Sequence, residues 1–286
     1  MRSITVKNVL KYFPKRPQDS HKGTFGHILN ISGSKSYTGA SILSSLSALK
    51  VGAGYVTLAT VEDAANIVHS YTPDIPTISL KQTENGTISK DNTISVINIS
   101  KNYDVISIGS GIGQNEETTQ FVTDFIKQNR KPVVIDADGL NALSKSNIEK
   151  VGGESIITPH PKELSRLIAV PVEIIQSNRE YYATETAKNL ETIVVLKGHN
   201  TIVTDGKSIY INKTGCSALA KAGSGDVLTG MITGILAQNK NPLHSAIIGV
   251  YLHGLSGDLA AEKLTEYSVL ASDLLNFIPD AIKKVL

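Results

Sequence analysis

The sequence predicts an α/β protein with a mostly parallel central sheet, because apolar runs alternate with helical patterns from end to end. The apolar runs have the length of buried strands and end in polar or glycine residues. Helical patterns lie between them, as the crossovers of a parallel sheet require. We predict six strands, over residues 27–33, 54–60, 103–109, 132–138, 154–160 and 192–198.

Four helices are predicted between these strands, where apolar residues recur at helical spacing over 40–53, 116–129, 161–168 and 178–190. Residues 200–212 alternate instead between apolar and polar side chains around Asp205 and Gly206, which is typical of a hairpin. No repeat of fixed period is visible. The order of elements therefore favours a single α/β unit.

Composition excludes several classes of protein. The 286 residues are 41% hydrophobic and 19% charged, and no linker divides them, so we predict one domain over 1–286. A formal net charge of +2 gives no reason to expect a nucleic acid as partner. No apolar run predicts a membrane span or a secretory signal. The single cysteine, Cys216, excludes an internal disulfide, and we expect a cytoplasmic protein.

Ligands of an open parallel sheet bind beyond the carboxyl ends of its strands, so the segments after the strands are the candidate sites. "SGSKSYTGAS" (32–41) would let backbone amides approach an anion, although a capped tight turn also explains it. "IGSGIGQNEET" (108–118) precedes Asp136, which lies 25 positions after Gly111. Gln114 replaces the third glycine of the dinucleotide-binding pattern. The sequence therefore predicts a glycine loop that lies beside a ligand and gives only a weak dinucleotide-binding signal.

Two further segments contain charged residues at strand ends. "IITPHPKEL" (156–164) places His160 before a helix and Glu163 in its first turn. Helix capping alone would account for both, but a carboxylate there could hold a hydrated Mg²⁺ beside phosphates. "VVLKGHNTIVTDG" (194–206) offers Lys197 and Gly198 to a phosphate, unless that lysine is merely solvated.

The strongest candidate is "AKAGSGDVLTGMITGIL" (220–236). Residues 222–225 are predicted to form an anion-binding nest, followed by a helix from about Val227. Asp226 could cap that helix, but a carboxylate aimed at a phosphate favours a role in proton transfer with a substrate hydroxyl. Packing roles are predicted for Cys216, His253 and Asp258.

The whole set of motifs resembles the ADP-dependent NAD(P)H-hydrate dehydratases, which have a ribokinase-like three-layer α/β fold. The resemblance extends from about Asp19 to Pro279. It is carried by "SHKGTFGHILNISGSKSYTGA", "VVIDADGLNAL", "ITPHPKEL", "VVLKGHNT", "AKAGSGDVLTGMITGILAQ", "YLHGLSGD" and "VLASDLL", in that order.

The resemblance implies an enzyme that repairs the (6S) hydrated forms of NADH and NADPH by removing water, while ADP is converted into AMP and phosphate. Asp226 would be catalytic, and Glu163 would hold Mg²⁺. The hydrated cofactor would contact Ala40, Gly111, His160 and Asp226. The adenine nucleotide would contact Lys197, Gly198, His199, Asn200, Thr201 and Gly225.

The resemblance has one departure and leaves alternatives open. The family loop is often Gly-Gly-Thr-Gly-Asp, whereas residues 222–226 here are Ala-Gly-Ser-Gly-Asp. Serine in place of threonine keeps the hydroxyl. Alanine in place of the first glycine affects only how freely the turn can bend. Family members imply a homo-oligomer, such as a tetramer, and we expect a separate epimerase. A kinase for a vitamin-precursor alcohol is the main alternative, because Gly-x-Gly-Asp serves both reactions. A nucleotide-binding module without turnover is the other.

Overall fold

The structure, a computed structural model, describes residues 2–152 and 154–286. Within these residues, ten strands form one sheet in the order β1-β10-β9-β8-β7-β6-β5-β2-β3-β4. The pairs are parallel except those that β9 makes with β8 and β10. The strands are β1 (Arg2–Ser3), β2 (His27–Ile31), β3 (Tyr55–Val61), β4 (Thr77–Leu80), β5 (Val105–Ile108), β6 (Val133–Ile135), β7 (Ser155–Ile157), β8 (Ile193–Leu196), β9 (Thr201–Thr204) and β10 (Ile209–Asn212).

The six predicted strands and the hairpin are confirmed. Most of the strands end earlier than predicted, because their last polar residues leave the ladder and form loops at the carboxyl edge of the sheet. Strands β1 and β4 were not predicted. Each is a short edge strand whose sequence carries little apolar signal.

Helices cover both faces of the sheet, as a parallel sheet requires. They are α1 (Val6–Tyr12), α2 (Thr38–Lys50), α3 (Glu62–Tyr71), α4 (Thr93–Ser100), α5 (Glu116–Gln128), α6 (Asp138–Ser144), α7 (Pro161–Ile168), α8 (Val172–Ser177), α9 (Arg179–Leu190), α10 (Ser224–Asn239), α11 (Pro242–Leu264) and α12 (Ala271–Val285). No helix in the described ranges combines the length and the apolar character that crossing a bilayer needs.

The two apolar layers of the core follow the alternation of side chains along each strand. Ile28 of β2 belongs to the apolar cluster that includes residues of α1, α2, α10, α11 and α12, whereas its neighbour Leu29 belongs to the cluster that includes residues of α3 to α9. The same alternation separates Val195 from Val194 in β8. The sheet is thus buried on both sides, and its carboxyl edge remains open for ligands.

Helix α10 begins three residues before the predicted start at Val227. Gly223 precedes it with a φ of 91°, a left-handed conformation that glycine adopts without strain. That single residue turns the chain sharply enough for Ser224 to begin the helix. Residues 224–226 therefore form the first helical turn, so the helix begins within the segment 222–225 that was predicted to form an anion-binding nest.

Helices α2 and α10 pack closely because α10 presents glycines to the backbone of α2. A β-carbon on Gly230 would lie 2.0 Å from the carbonyl oxygen of Ser44, and one on Gly234 would lie 2.5 Å from that of Ala48. Beneath α2, the Asn30 amide donates to the hydroxyls of Ser44 and Ser45 at 2.8 Å each. The contact fixes the first turn of α2 relative to the first turn of α10.

We predict that Gly230→Ala lowers the free energy of unfolding by about 2 kcal/mol, because the methyl group would force the two helices apart. Gly39→Ala is the matched control. Gly39 also lies in a helix, but a β-carbon there would meet no atom within 4 Å. Urea unfolding followed by circular dichroism measures both variants, and equal stability of the two would contradict the tight contact.

Candidate active site

The N-terminus of α10 offers unpaired backbone donors. In the described part of the chain, the amide of Val227 donates to the carbonyl of Gly223, but the amides of Gly225 and Asp226 donate to no backbone or side-chain acceptor. Free amides at a helix N-terminus bind anions, and the helix dipole adds to their effect. The first turn of α10 is therefore suited to a phosphate group.

Asp136, which follows β6, holds the centre of the site together. One of its carboxylate oxygens accepts hydrogen bonds from the Lys197 ammonium (2.8 Å) and the Thr158 hydroxyl (2.7 Å), and the other accepts from the Thr229 hydroxyl (2.8 Å). The residue is only 1% exposed. Its oxygens are thus engaged within the protein, which leaves Asp136 unsuited to the ribose contact of a dinucleotide-binding fold.

Lys197 supplies a positive charge next to the first turn of α10. Burial alone would lower the pKa of its ammonium, but Asp136 and Glu163 outweigh burial and raise it. Its Nζ lies 3.6 Å from Glu163 Oε2. A β-carbon on Gly225 would be 3.4 Å from the same nitrogen. The lysine remains charged at the place where a phosphate would meet the helix.

His160 and Glu163 cap helix α7. The Nδ1 atom of His160 accepts from the amides of Lys162 (3.1 Å) and Glu163 (3.2 Å), and Glu163 Oε2 accepts from the amide of His160 (2.7 Å). Burial, followed by the charge of Lys197, lowers the pKa of His160 to about 4, so the ring is neutral. Capping, one of the two interpretations that the sequence allowed, is observed for both residues.

The carboxyl group of Asp226 has a higher pKa than an ordinary aspartate. Burial and the nearby charge of Asp136 raise its pKa to about 6, while Ser110 and Lys197 oppose the shift. Gly223 is the N-cap residue of α10, and Asp226 lies within the first turn of the helix. Asp226 is therefore not the residue that caps α10. Raised pKa values of this kind are typical of groups that transfer protons.

One cavity of about 910 Å³ brings most of the predicted site residues together. Its lining includes eight of them: His160, Lys197, Gly198, His199, Asn200, Thr201, Gly225 and Asp226. The loop over 212–217 and the side chain of His253 complete the wall. The arrangement has the concave shape and the few converging polar groups of a small-molecule site.

Three predicted site residues lie outside that lining: Glu163, which is only 6% exposed, and Ala40 and Gly111, which lie next to each other. A β-carbon on Gly111, whose φ is 65°, would be 2.7 Å from the β-carbon of Ala40. Gly111 follows Ser110, whose hydroxyl affects the pKa of Asp226. Ala40 and Gly111 thus lie together near Asp226 but outside the cavity lining, whereas His160 and Lys197 line the cavity.

Arg179 carries no signal in the sequence, although it holds the backbone of the 196–201 loop. Its Nη1 donates to the carbonyl of His199 at 2.6 Å, and its Nη2 donates to the carbonyls of Leu196 (3.1 Å) and Lys197 (3.2 Å). No motif marks Arg179, because it lies 17 to 20 residues from its acceptors. Its guanidinium fixes the shape of the loop predicted to bind the nucleotide.

Asp138 plays the same part for the glycine loop after β5. Its Oδ2 accepts from the amide of Gly113 at 2.9 Å, and its Oδ1 accepts from the side-chain amide of Gln114 at 3.0 Å. Ala137, immediately before it, has a φ of 48°, which is strained for a residue with a β-carbon. A strained backbone conformation such as that of Ala137 persists only where the surrounding structure holds the chain in place, as the hydrogen bonds of Asp138 do here.

No group of three or more His, Cys, Asp or Glu residues arranged to hold a metal occurs in the described ranges.

Known structures show the fold class first. A ribokinase-like superfamily protein from Enterococcus faecalis matches with a TM-score of 0.88 and 28% identity, over 100% of this chain and 96% of that one. The ADP/ATP-dependent NAD(P)H-hydrate dehydratase from Bacillus subtilis, co-crystallized with ATP/Mg²⁺, matches with a TM-score of 0.85 and 33% identity, over 100% and 99% of the two chains. The protein thus has the ribokinase-like fold that the motifs predicted.

Sequence comparison then gives the family. The family model described as NAD(P)H-hydrate dehydratase matches residues 28–280. The ADP-dependent (S)-NAD(P)H-hydrate dehydratase of Bacillus subtilis is 36% identical over 284 residues, which cover 98% of this chain and 97% of that protein. This chain belongs to the NAD(P)H-hydrate dehydratase family, and the predicted family is confirmed.

The family also contains longer chains. This chain spans about half the length of curated relatives named bifunctional NAD(P)H-hydrate repair enzyme, 54% of one and 52% of another, at 36% identity to each.

We predict that Arg179→Ala raises the dissociation constant of ADP about tenfold, because the segment over 196–201 would lose three hydrogen bonds from a charged donor. Isothermal titration measures the affinity. The matched control is Arg16→Ala, which removes an arginine whose Nη1 donates to the carbonyl of Gly52, outside the cavity. An unchanged ADP affinity in a folded Arg179→Ala variant would mean that the loop keeps its shape unaided.

Proposed function

We propose that this chain uses ADP to remove water from the (6S) hydrated forms of NADH and NADPH, and so returns damaged nicotinamide cofactors to use. The observation that carries this proposal is the position of Asp226. Its carboxylate, with a pKa of about 6, lines a cavity beside two free amides and the Lys197 ammonium. A carboxylate so close to a phosphate site is unfavourable unless it takes part in proton transfer.

The reaction needs a phosphoryl transfer because hydroxide is a poor leaving group. The C6 hydroxyl oxygen attacks the β-phosphorus of ADP, the bond from that phosphorus to the bridging oxygen breaks, and AMP leaves. The lone pair of the ring nitrogen then expels phosphate from C6. Loss of a proton from C5 restores the double bond between C5 and C6, which gives the reduced cofactor, AMP and phosphate.

The residues of the site match these steps. Asp226 accepts the proton of the C6 hydroxyl as its oxygen attacks; a base with a pKa near 6 is ionised at neutral pH and still holds a proton better than an ordinary aspartate. The free amides of Gly225 and Asp226 and the charge of Lys197 stabilise the negative charge on the transferring phosphoryl group.

The nucleotide and the hydrated cofactor are proposed to occupy opposite sides of Asp226. The loop over 197–201 and Gly225 bind the adenine nucleotide in the cavity. Ala40 and Gly111 bind the hydrated nicotinamide on the other side. His160 contacts the nicotinamide from the junction with its neutral ring, whose Nδ1 accepts two backbone amides and whose Nε2 lies 3.3 Å from Glu163 Oε1.

Mg²⁺ fits this site as a companion of the nucleotide. It neutralises charge on the phosphates of the donor when bound. Glu163 is the carboxylate proposed to hold it, and one of its oxygens already accepts from the amide of His160. Burial raises the pKa of Glu163, although Lys197 opposes that shift. We infer that Glu163 contacts the cation through water.

Two partners follow from the chemistry and from the family. C6 is a stereocentre, so we infer that a separate epimerase converts the other hydrated epimer into the one that this chain accepts. We also infer a homo-oligomer, a tetramer by resemblance to the family, which light scattering of the purified chain measures.

We predict that the purified protein, incubated with either hydrate and ADP, restores the absorbance of the reduced nicotinamide and forms one AMP for each cofactor recovered. Parallel incubations with ATP and with vitamin-precursor alcohols test the kinase alternative. A stable phosphate ester formed from such an alcohol, with no recovery from either hydrate, would establish the kinase and refute the proposal.

We predict that Asp226→Asn lowers turnover by roughly a hundredfold or more, as loss of a general base does, while ADP affinity survives. The folded-state pKa of Asp226 lies above its ordinary value of 3.8. The ionised side chain therefore destabilises the fold above about pH 6, and the asparagine variant should unfold at an equal or higher temperature there. Near-normal turnover in this variant would leave Asp226 without a catalytic role.

We predict that kcat/KM falls about tenfold for each pH unit below about 6 and is flat from there to pH 8, because protonated Asp226 cannot accept the hydroxyl proton. The raised pKa sets the sign, since the group keeps its proton to higher pH than an ordinary aspartate. Rates at several pH values, with Asp226→Asn as the control, measure the profile. An acid limb that persists unchanged in that variant would assign it to another group.

A further inference from the structure

His253 of α11 meets the first residue of α10 inside the cavity wall. Its Nε2 lies 3.0 Å from the carbonyl oxygen of Ser224 and 3.2 Å from the hydroxyl oxygen of the same residue. The histidine is 8% exposed and the serine 5%. Both residues line the cavity with Gly225 and Asp226. The reaction steps described above use neither of them.

The contact with the carbonyl identifies the protonated nitrogen of the ring. A carbonyl oxygen can only accept a hydrogen bond, so Nε2 carries the hydrogen and donates. Burial, the largest effect, lowers the pKa of His253 to about 4, and the ring is neutral near physiological pH. A nitrogen that carries its hydrogen has no lone pair in the ring plane. The Ser224 hydroxyl therefore cannot donate to it and can only accept a share of the same N–H.

The hydrogen of the Ser224 hydroxyl is thus left without an acceptor in the part of the chain that the structure describes. Serines in helices usually donate back to a carbonyl of the preceding turn. Ser41 and Ser44 of α2 do so at 2.7 Å each, whereas Ser224 makes no such bond. Its hydroxyl remains in the cavity, next to the free amides of Gly225 and Asp226.

We propose that the Ser224 hydroxyl donates a hydrogen bond to the transferring β-phosphate of ADP, and that His253 is the positioning residue that keeps this hydroxyl free to donate. The proposal rests on the proposed function, since it assigns the same phosphate to the first turn of α10. It adds a third donor to the two amides. A hydrogen bond to a charged acceptor contributes more than one between neutral groups.

Binding of ADP and AMP by isothermal titration, without the hydrated cofactor, tests this assignment. AMP lacks the β-phosphate, so Ser224→Ala should weaken ADP binding about tenfold and leave AMP binding within about twofold of the unmodified protein. Damage to the cavity as a whole would weaken both nucleotides. Ser256→Ala on α11 is the matched control, because its hydroxyl donates to the carbonyl of Leu252 at 2.8 Å, away from the cavity.

Two substitutions of His253 test its positioning role. A glutamine amide can place an N–H where Nε2–H was, whereas the shorter asparagine reaches only the position of Nδ1. His253→Asn should therefore reproduce the selective loss of ADP affinity, and His253→Gln should recover most of it. Thermal unfolding checks that both variants fold.

Equal losses of ADP and AMP affinity in Ser224→Ala, or no loss of either, would overturn the assignment to the β-phosphate. A glutamine variant no better than the asparagine variant would overturn the role of His253. If the proposed function is wrong, the unmodified protein will not turn over the hydrated cofactor. The proposal for Ser224 is tested by nucleotide affinities alone, so the two failures are distinguishable.

Discussion

The buried ion pair between Asp136 and Lys197 is the interaction on which the rest of the site depends. The two residues follow β6 and β8, and the hydroxyls of Thr158 after β7 and Thr229 in α10 complete the coordination of the carboxylate. Three neighbouring strands and helix α10 are thus joined at one point. Removing either charge would leave its partner buried and uncompensated, which is strongly destabilising. The same two charges act in opposite directions on the pKa of Asp226.

A second constraint connects the two sides of the site. The close contact between α2 and α10 depends on Gly230 and Gly234, whose missing side chains let the two backbones approach. Ala40 lies in the first turn of α2 and Asp226 in the first turn of α10. A rigid contact between the helices therefore fixes the distance between the proposed nicotinamide wall and the proposed base. Positioning of this kind is what a transfer between two bound molecules requires.

The sequence predicts the fold and the family well because both are encoded locally. Apolar runs mark the strands, and the tendency of ligands to bind beyond the carboxyl ends of parallel strands points to Lys197 and Asp226. The predicted start of α10 is wrong by three residues, since Gly223 turns the chain more sharply than the pattern of small residues indicates. The edge strand β4 was not predicted, because its four residues are too few to give a clear apolar pattern.

The supporting residues could not be predicted, because their partners are distant in sequence. Arg179 precedes the carbonyls that it holds by 17 to 20 residues, and His253 follows Ser224 by 29. Only its spacing from Gly111 marks Asp136 in the sequence, and its three donors come from three other elements. Periodicity indicates that such residues are buried, but only the tertiary structure shows what they meet.

The central claim is that the C6 hydroxyl is phosphorylated before it leaves. Hydrate labelled with ¹⁸O at the C6 hydroxyl, incubated with the protein and ADP, tests this directly by the isotope shift in the ³¹P spectrum of the released phosphate. If the hydroxyl oxygen attacks phosphorus and the C6–O bond breaks afterwards, the label appears in inorganic phosphate. Unlabelled phosphate, with the ¹⁸O recovered in water, would mean that hydroxide or water leaves C6 directly and would contradict the account.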